Sequence, residues 1–97
     1  MTSVIIRKKP ITLDAWRAID LSIDDEVPVW VFNAMANRKI NEVPNGGWNI
    51  NTLEGKMHAN LGDVIVRGVD GELYPIREDI FKRTYDVVGG DEHGENS

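Results

Sequence analysis

The stretch from Trp48 to Tyr85, WNINTLEGKMHANLGDVIVRGVDGELYPIREDIFKRTY, constrains the fold more than any other part of this chain. It packs a turn, a hairpin, a short helix and a closing strand into fewer than forty residues. Trp48, Ile50 and Thr52 alternate with Asn49, Asn51 and Leu53, which is the period of a strand. Glu54-Gly55 predicts a turn, and Lys56–Ala59 a short return strand. Asp63–Arg67, DVIVR, is apolar on both faces at its centre, as a central, doubly covered strand would be. Asp70-Gly71 is a two-residue hairpin signal, and Glu72–Pro75 returns. Residues 76–83, IREDIFKR, predict a short helix with Ile76, Ile80 and Phe81 as its buried points, and Thr84–Val88 a closing strand.

The first half adds fewer elements. Residues 3–9, SVIIRKK, read as a strand that Pro10 interrupts, because proline lacks the N–H that a central ladder needs. In ITLDAWR, Ile11, Leu13 and Ala15 share one face of a second strand, and Thr12, Asp14 and Trp16 the other. Trp16 is therefore expected to be partly exposed. Ser22, Asp24 and Asp25 are good helix caps, and Pro28, tolerated only in a first turn, selects Asp24 or Asp25. Val27, Trp30, Val31, Ala34 and Met35 then form one apolar face of a helix of about three turns spanning 25–38. Val29 and Phe32 fall off that stripe, so the helix is expected to make a second contact. Asn45-Gly46-Gly47 marks a loop.

These elements predict an α+β fold: a small bent antiparallel sheet or partly open barrel, one helix packed across it, and a short second helix before the last strand. Residues 1–88 are expected to form one domain, and the polar, acidic 89–97 a disordered tail. At 97 residues, the chain buries only about 65% of its unfolded surface. It has no cysteine, hence no disulfide framework or thiolate metal site, which fits a reducing compartment. No apolar run nears the roughly 20 residues that cross a bilayer, and the basic residues of MTSVIIRKKP follow the apolar ones, the reverse of a signal peptide. A cytosolic protein is expected, with no membrane partner.

A net charge of −5 disfavours nucleic acid as a partner. The charge is patchy, with acids at 20–26 and in the tail, and bases at 7–9 and 77–83; patches of both signs suit a selective anion site or a protein partner. No catalytic constellation stands out. The glycines at 55, 62, 68 and 71 fit no phosphate-loop spacing and read as turns. His58 and His93 lack a metal-ligand spacing. Asp63, Glu72 and Asp79 read as local structure rather than a hydrolytic pair, and no Ser-His-Asp set has positional support. No cofactor, metal or catalytic residue is expected.

The residues suited to binding are few. Arg67 faces Tyr74 if Asp70-Gly71 is a two-residue loop, or Glu72 if the loop has four residues. Trp30 is expected in the core, whereas Trp16 and Trp48 are candidates for a ligand face, Trp48 because it follows a Gly-Gly loop. Trp48 and Tyr74 offer faces for a base, and Arg67, Arg7, Lys8 and Lys9 cations for phosphates.

Three motifs carry a family resemblance. Ile50, Thr52, Leu53, Glu54, Gly55 and Met57 follow an aromatic; Gly62-Asp63, Ile65, Gly68-Val69, Gly71-Glu72 and Tyr74-Pro75 come next; Asp79-Ile80-Phe81 and Thr84-Tyr85 close the pattern. With Arg7–Pro10 and the helix at 27–34, the chain resembles, over roughly residues 5–88, a widespread group of small uncharacterised phage and prophage proteins. It departs from them at Ile76, where they often carry cysteine. The resemblance implies a phage accessory protein working in the host cytoplasm. The expectation is a non-enzymatic protein that counteracts the host by binding. Its sharper form is a homo-oligomeric sponge sequestering a small anionic, nucleotide-derived defence signal between subunits. The alternatives are an inhibitor of a host protein, carried by the acids at 20–26 with Val29 and Phe32, and a virion structural or assembly protein.

Overall fold

A computed structural model describes residues 3–7, 9–21, 26–44 and 46–90. The fold is α+β: β1 (Asp14–Arg17), α1 (Val29–Ala36), β2 (Ile40–Glu42), β3 (Trp48–Thr52), β4 (Gly55–Ala59), β5 (Val64–Arg67), β6 (Leu73–Ile76) and α2 (Glu78–Thr84). The strands form two three-stranded antiparallel sheets, ordered β1-β5-β6 and β2-β3-β4, and neither closes into a barrel.

The β3–β4 hairpin turns through Leu53-Glu54, with Thr52 opposite Gly55. Gly55 takes φ +114°, and the Thr52 hydroxyl donates to its carbonyl at 2.6 Å and accepts from the Glu54 N–H at 3.1 Å. The turn thus sits one residue earlier than Glu54-Gly55. The doubly apolar stretch becomes β5, the middle strand of its sheet, with Val64, Ile65 and Val66 at most 2% exposed.

Register assigns the two faces of that sheet. Ile65, paired with Trp16, and Leu73, paired with Arg67, face the main core. There they meet Ile40, Trp48, Ile50 and Ala59 of the other sheet, and Val31 and Ala34 of α1. Val64 and Val66 point to the opposite face, which they share with Arg17 and Tyr74. α2 covers this second face: the Arg17 guanidinium lies 6.0 Å from the Phe81 ring centre and 3.3 Å from a Glu78 oxygen.

α1 is shorter than the expected 25–38. It starts after Pro28, whose carbonyl accepts from the Val31 and Phe32 N–H groups at 3.0 Å. The expected caps Asp24 and Asp25, with Ser22, lie outside the described residues. At the far end Arg38 takes the left-handed φ of 62°. Lys39 N–H then reaches Ala34 O and Arg38 N–H reaches Met35 O, the paired bonds of a Schellman stop. That reversal launches β2, whose three residues, INE, are too few to show a strand period in the sequence.

Four further expectations are corrected. Residues 3–7 and 9 are not a strand; Val4, Ile5 and Ile6 are exposed, with no neighbour strand among the described residues to supply a ladder. Only Asp14–Arg17 of 11–17 is a strand, and its faces are reversed: Ala15 is exposed, whereas Trp16 turns inward to meet Trp48. Ile76 belongs to β6, so α2 contributes only the half-buried Ile80 and Phe81. Thr84 ends α2 and residues 85–88 form no strand; Val87 and Val88 are exposed. The tail beyond residue 90 lies outside the described residues. No helix among the described residues is long and apolar enough to cross a membrane.

Candidate functional site

The residues expected to hold an anionic ligand are spread through the fold. Trp48 is only 1% exposed, because β3 turns it into the core. Its indole N–H donates to Ile19 O at 2.9 Å, and its ring meets Trp16 edge-to-face at 5.4 Å and 82°. Neither tryptophan presents a ring to solvent, so the expectation that Trp16 and Trp48 form a ligand face is corrected.

Arg67 stands opposite Leu73, and Tyr74 opposite Val66. Both expected registers, Arg67 against Tyr74 or against Glu72, are therefore corrected. The cause is the loop: Gly68 N–H donates to Glu72 O at 2.8 Å, leaving Val69, Asp70 and Gly71 as a three-residue turn. The side-chain period of two then puts Arg67 and Tyr74 on opposite faces. Arg67 is also engaged. It ion-pairs with Asp14 across β1, and its guanidinium lies 5.3 Å from the Trp30 ring centre. Tyr74 lies near enough to Tyr85 for the two phenols to interact. Burial, with the negative charges that Tyr85 and Glu72 can carry, raises its pKa above the ordinary tyrosine value. Arg7 and Lys9 are exposed in the irregular N-terminal arm, and Lys8 lies outside the described residues.

The three carboxylates with catalytic potential are used locally. Asp63 accepts from Asn60 N–H at 3.0 Å and Glu78 N–H at 3.2 Å, tying the β4–β5 turn to the start of α2. Glu72 accepts from Asp70 N–H at 3.0 Å within the hairpin loop. Asp79 pairs with Arg77 through two bonds of 3.0 and 2.6 Å, which lower the Asp79 pKa and raise that of Arg77. His58 Nδ1 lies 3.1 Å from Asn49 Oδ1, across the β3–β4 pair. A shallow cleft of about 320 Å³ is lined by Asp20, Glu42, Val43 and Pro44. Its two carboxylates oppose a phosphate, and Glu42 also accepts from Leu21 N–H at 3.2 Å.

The surface of α1 offers different chemistry. VWVFNAMA contains no charged residue over its whole length. Val31 and Ala34 are buried, and Trp30 and Met35 pack partly against the core. Val29, Phe32, Asn33 and Ala36 form the opposite stripe, and all four are exposed. Val29 is 75% and Phe32 60% exposed, three residues apart and so side by side. A solvated helix face ordinarily carries charge or hydrogen-bonding side chains. The clue in the sequence was the pair off the core stripe; the lack of charge across the helix strengthens it.

No family model matches this chain, and neither does any curated protein or solved structure.

Proposed function

We propose that this chain is a non-catalytic accessory protein that acts by binding a host protein through the outward stripe of α1. The observation that carries this reading is the exposed Val29–Phe32 pair on a helix without charge. Burying a phenylalanine side chain contributes about 1.5–3 kcal/mol, and aromatic anchors of that kind dominate protein interfaces. An apolar groove receiving two turns of helix is the matching partner surface. The phage and host setting rests on the resemblance of the second half to phage and prophage proteins.

Sequestration of a nucleotide-like anion has less support. Its aromatic and cationic residues would have to be gathered from different subunits, and Arg67 would have to leave Asp14. The test is affinity purification of the tagged chain from host cells during infection, beside Phe32→Glu. One host protein in stoichiometric amount is expected with the unaltered chain and lost with the variant, at equal unfolding midpoints. Equal capture by both would refute the assignment to α1. A discrete nucleotide mass on the native chain would move the reading to sequestration.

A further inference from the structure

The fold leaves three consecutive β-branched residues unused. Val4, Ile5 and Ile6 are 72, 101 and 84% exposed, so Ile5 is as accessible as in an isolated extended peptide. Such residues have the strongest preference for strands, yet residues 3–7 have no ladder partner.

Next to this arm in sequence is an open strand edge. β1 pairs with β5 on one side, and no strand among the described residues lies beyond it. An unpaired edge presents a row of N–H and C=O groups to any extended chain, and proteins ordinarily blunt it with proline, lysine, a bulge or short length. The other edges show such devices: β6 contains Pro75, β4 contains Lys56, and β2 has three residues. β1 has neither proline nor lysine, its Ala15 is exposed, and its two charged residues, Asp14 and Arg17, are paired within the chain with Arg67 and Glu78.

We propose that residues 3–7 of each chain add as an antiparallel strand to the free edge of β1 in a second copy, giving a strand-exchanged dimer. The five residues of the arm suit the four of β1. Arg7 brings a cation to the strand that carries the Asp14 carboxylate. Pro10 fixes its own φ and holds the preceding residue extended, which directs the arm away from its own β1. Because arm and acceptor are adjacent in sequence, the exchange is reciprocal. The arm and β1 of one copy run antiparallel to β1 and the arm of the other about a two-fold axis near Pro10 and Ile11, and each arm seals the other's edge. This contact is between copies and stands independently of the host-protein reading.

The test is native mass measurement over a concentration series, with hydrogen exchange at the arm amides. The unaltered chain is expected at twice its 10.9 kDa mass, with protected arm amides that lose protection on dilution to monomer. Ile5→Asp is expected to lose the dimer and the protection while keeping the monomer's unfolding midpoint, since Ile5 packs on nothing within its own chain. Three results would overturn the proposal: a monomer at every concentration, a dimer that Ile5→Asp leaves intact, or arm amides protected in the monomer. The last would indicate a hairpin within one chain.

Discussion

Replacing Trp48 by phenylalanine separates a core tryptophan from a ligand-binding one. The ring is 1% exposed, so its truncation acts on the interior. Three losses contribute. The indole N–H no longer reaches Ile19 O at 2.9 Å, which removes about 1 kcal/mol. The edge-to-face contact with Trp16 at 5.4 Å weakens, by up to about 0.5–1 kcal/mol. The smaller ring leaves a void of roughly 40 Å³, which costs about 1 kcal/mol if the surroundings do not collapse. The sum is about 2–3 kcal/mol, or a fall in melting temperature of roughly 10–20 °C for a domain of this size.

The assay is urea unfolding followed by far-ultraviolet circular dichroism, with the slope compared between variants. A double-mutant cycle with Trp16→Phe isolates the ring pair, and a coupling of about 1 kcal/mol is expected. A loss below about 0.5 kcal/mol at unchanged slope would overturn this assignment and place the indole outside the core.

Two glycines with similar backbone angles should respond differently. At Gly47 (φ +87°) a new Cβ would strike the Ala59 carbonyl oxygen and lie 2.7 Å from His58 Nε2, whereas at Gly71 (φ +84°) nothing lies within 4 Å. Gly47→Ala should therefore cost well over about 2 kcal/mol and Gly71→Ala only the left-handed backbone term of about 1–2 kcal/mol, as read by thermal unfolding. Arg67→Leu removes the Trp30 stacking and the half-exposed Asp14 pair, and should cost about 1 kcal/mol, with part of the loss erased by high salt. Tyr74 has a raised pKa in the folded state, so its contribution is complete below the ordinary tyrosine value near 10 and is lost as pH rises from there through the folded value. Tyrosinate absorbance should show one of the two tyrosines ionising late, and Tyr74→Phe should abolish that late phase.

Patterns that depend on one segment were legible in the sequence. The alternation at 48–52 became β3, and the doubly apolar DVIVR became a middle strand with one face on the main core and the other under α2. The off-stripe positions of Val29 and Phe32 marked the exposed side of α1. Patterns that depend on a partner were not. Alternation in ITLDAWR told which residues share a face but not which face is inward; Trp48 across the core decides that for Trp16. Arg67 could not be assigned a neighbour, because one extra residue in the hairpin loop moves every later side chain to the other face. SVIIR and TYDVV have the composition of strands, but a strand also needs a partner across a ladder, and neither segment pairs with any strand among the described residues.

The same distinction bears on where function lies. Substitutions at Trp48, Ile50 or Ile65 disturb residues that hold both sheets together, so any loss of binding there is confounded by unfolding. Val29, Phe32 and Ile5 contribute little to the packing of their own chain, being 75, 60 and 101% exposed. Val29 and Phe32 are neighbours on one helix face, and Ile5 lies between two further exposed β-branched residues, so each belongs to a patch rather than standing singly. They are therefore the positions at which stability and association separate. Phe32→Glu and Ile5→Asp should each leave the unfolding transition where it is, and each should abolish a different contact. If the two variants instead failed together in both assays, the arm and the helix would belong to one interface, and the dimer would be the form that presents α1 to its partner.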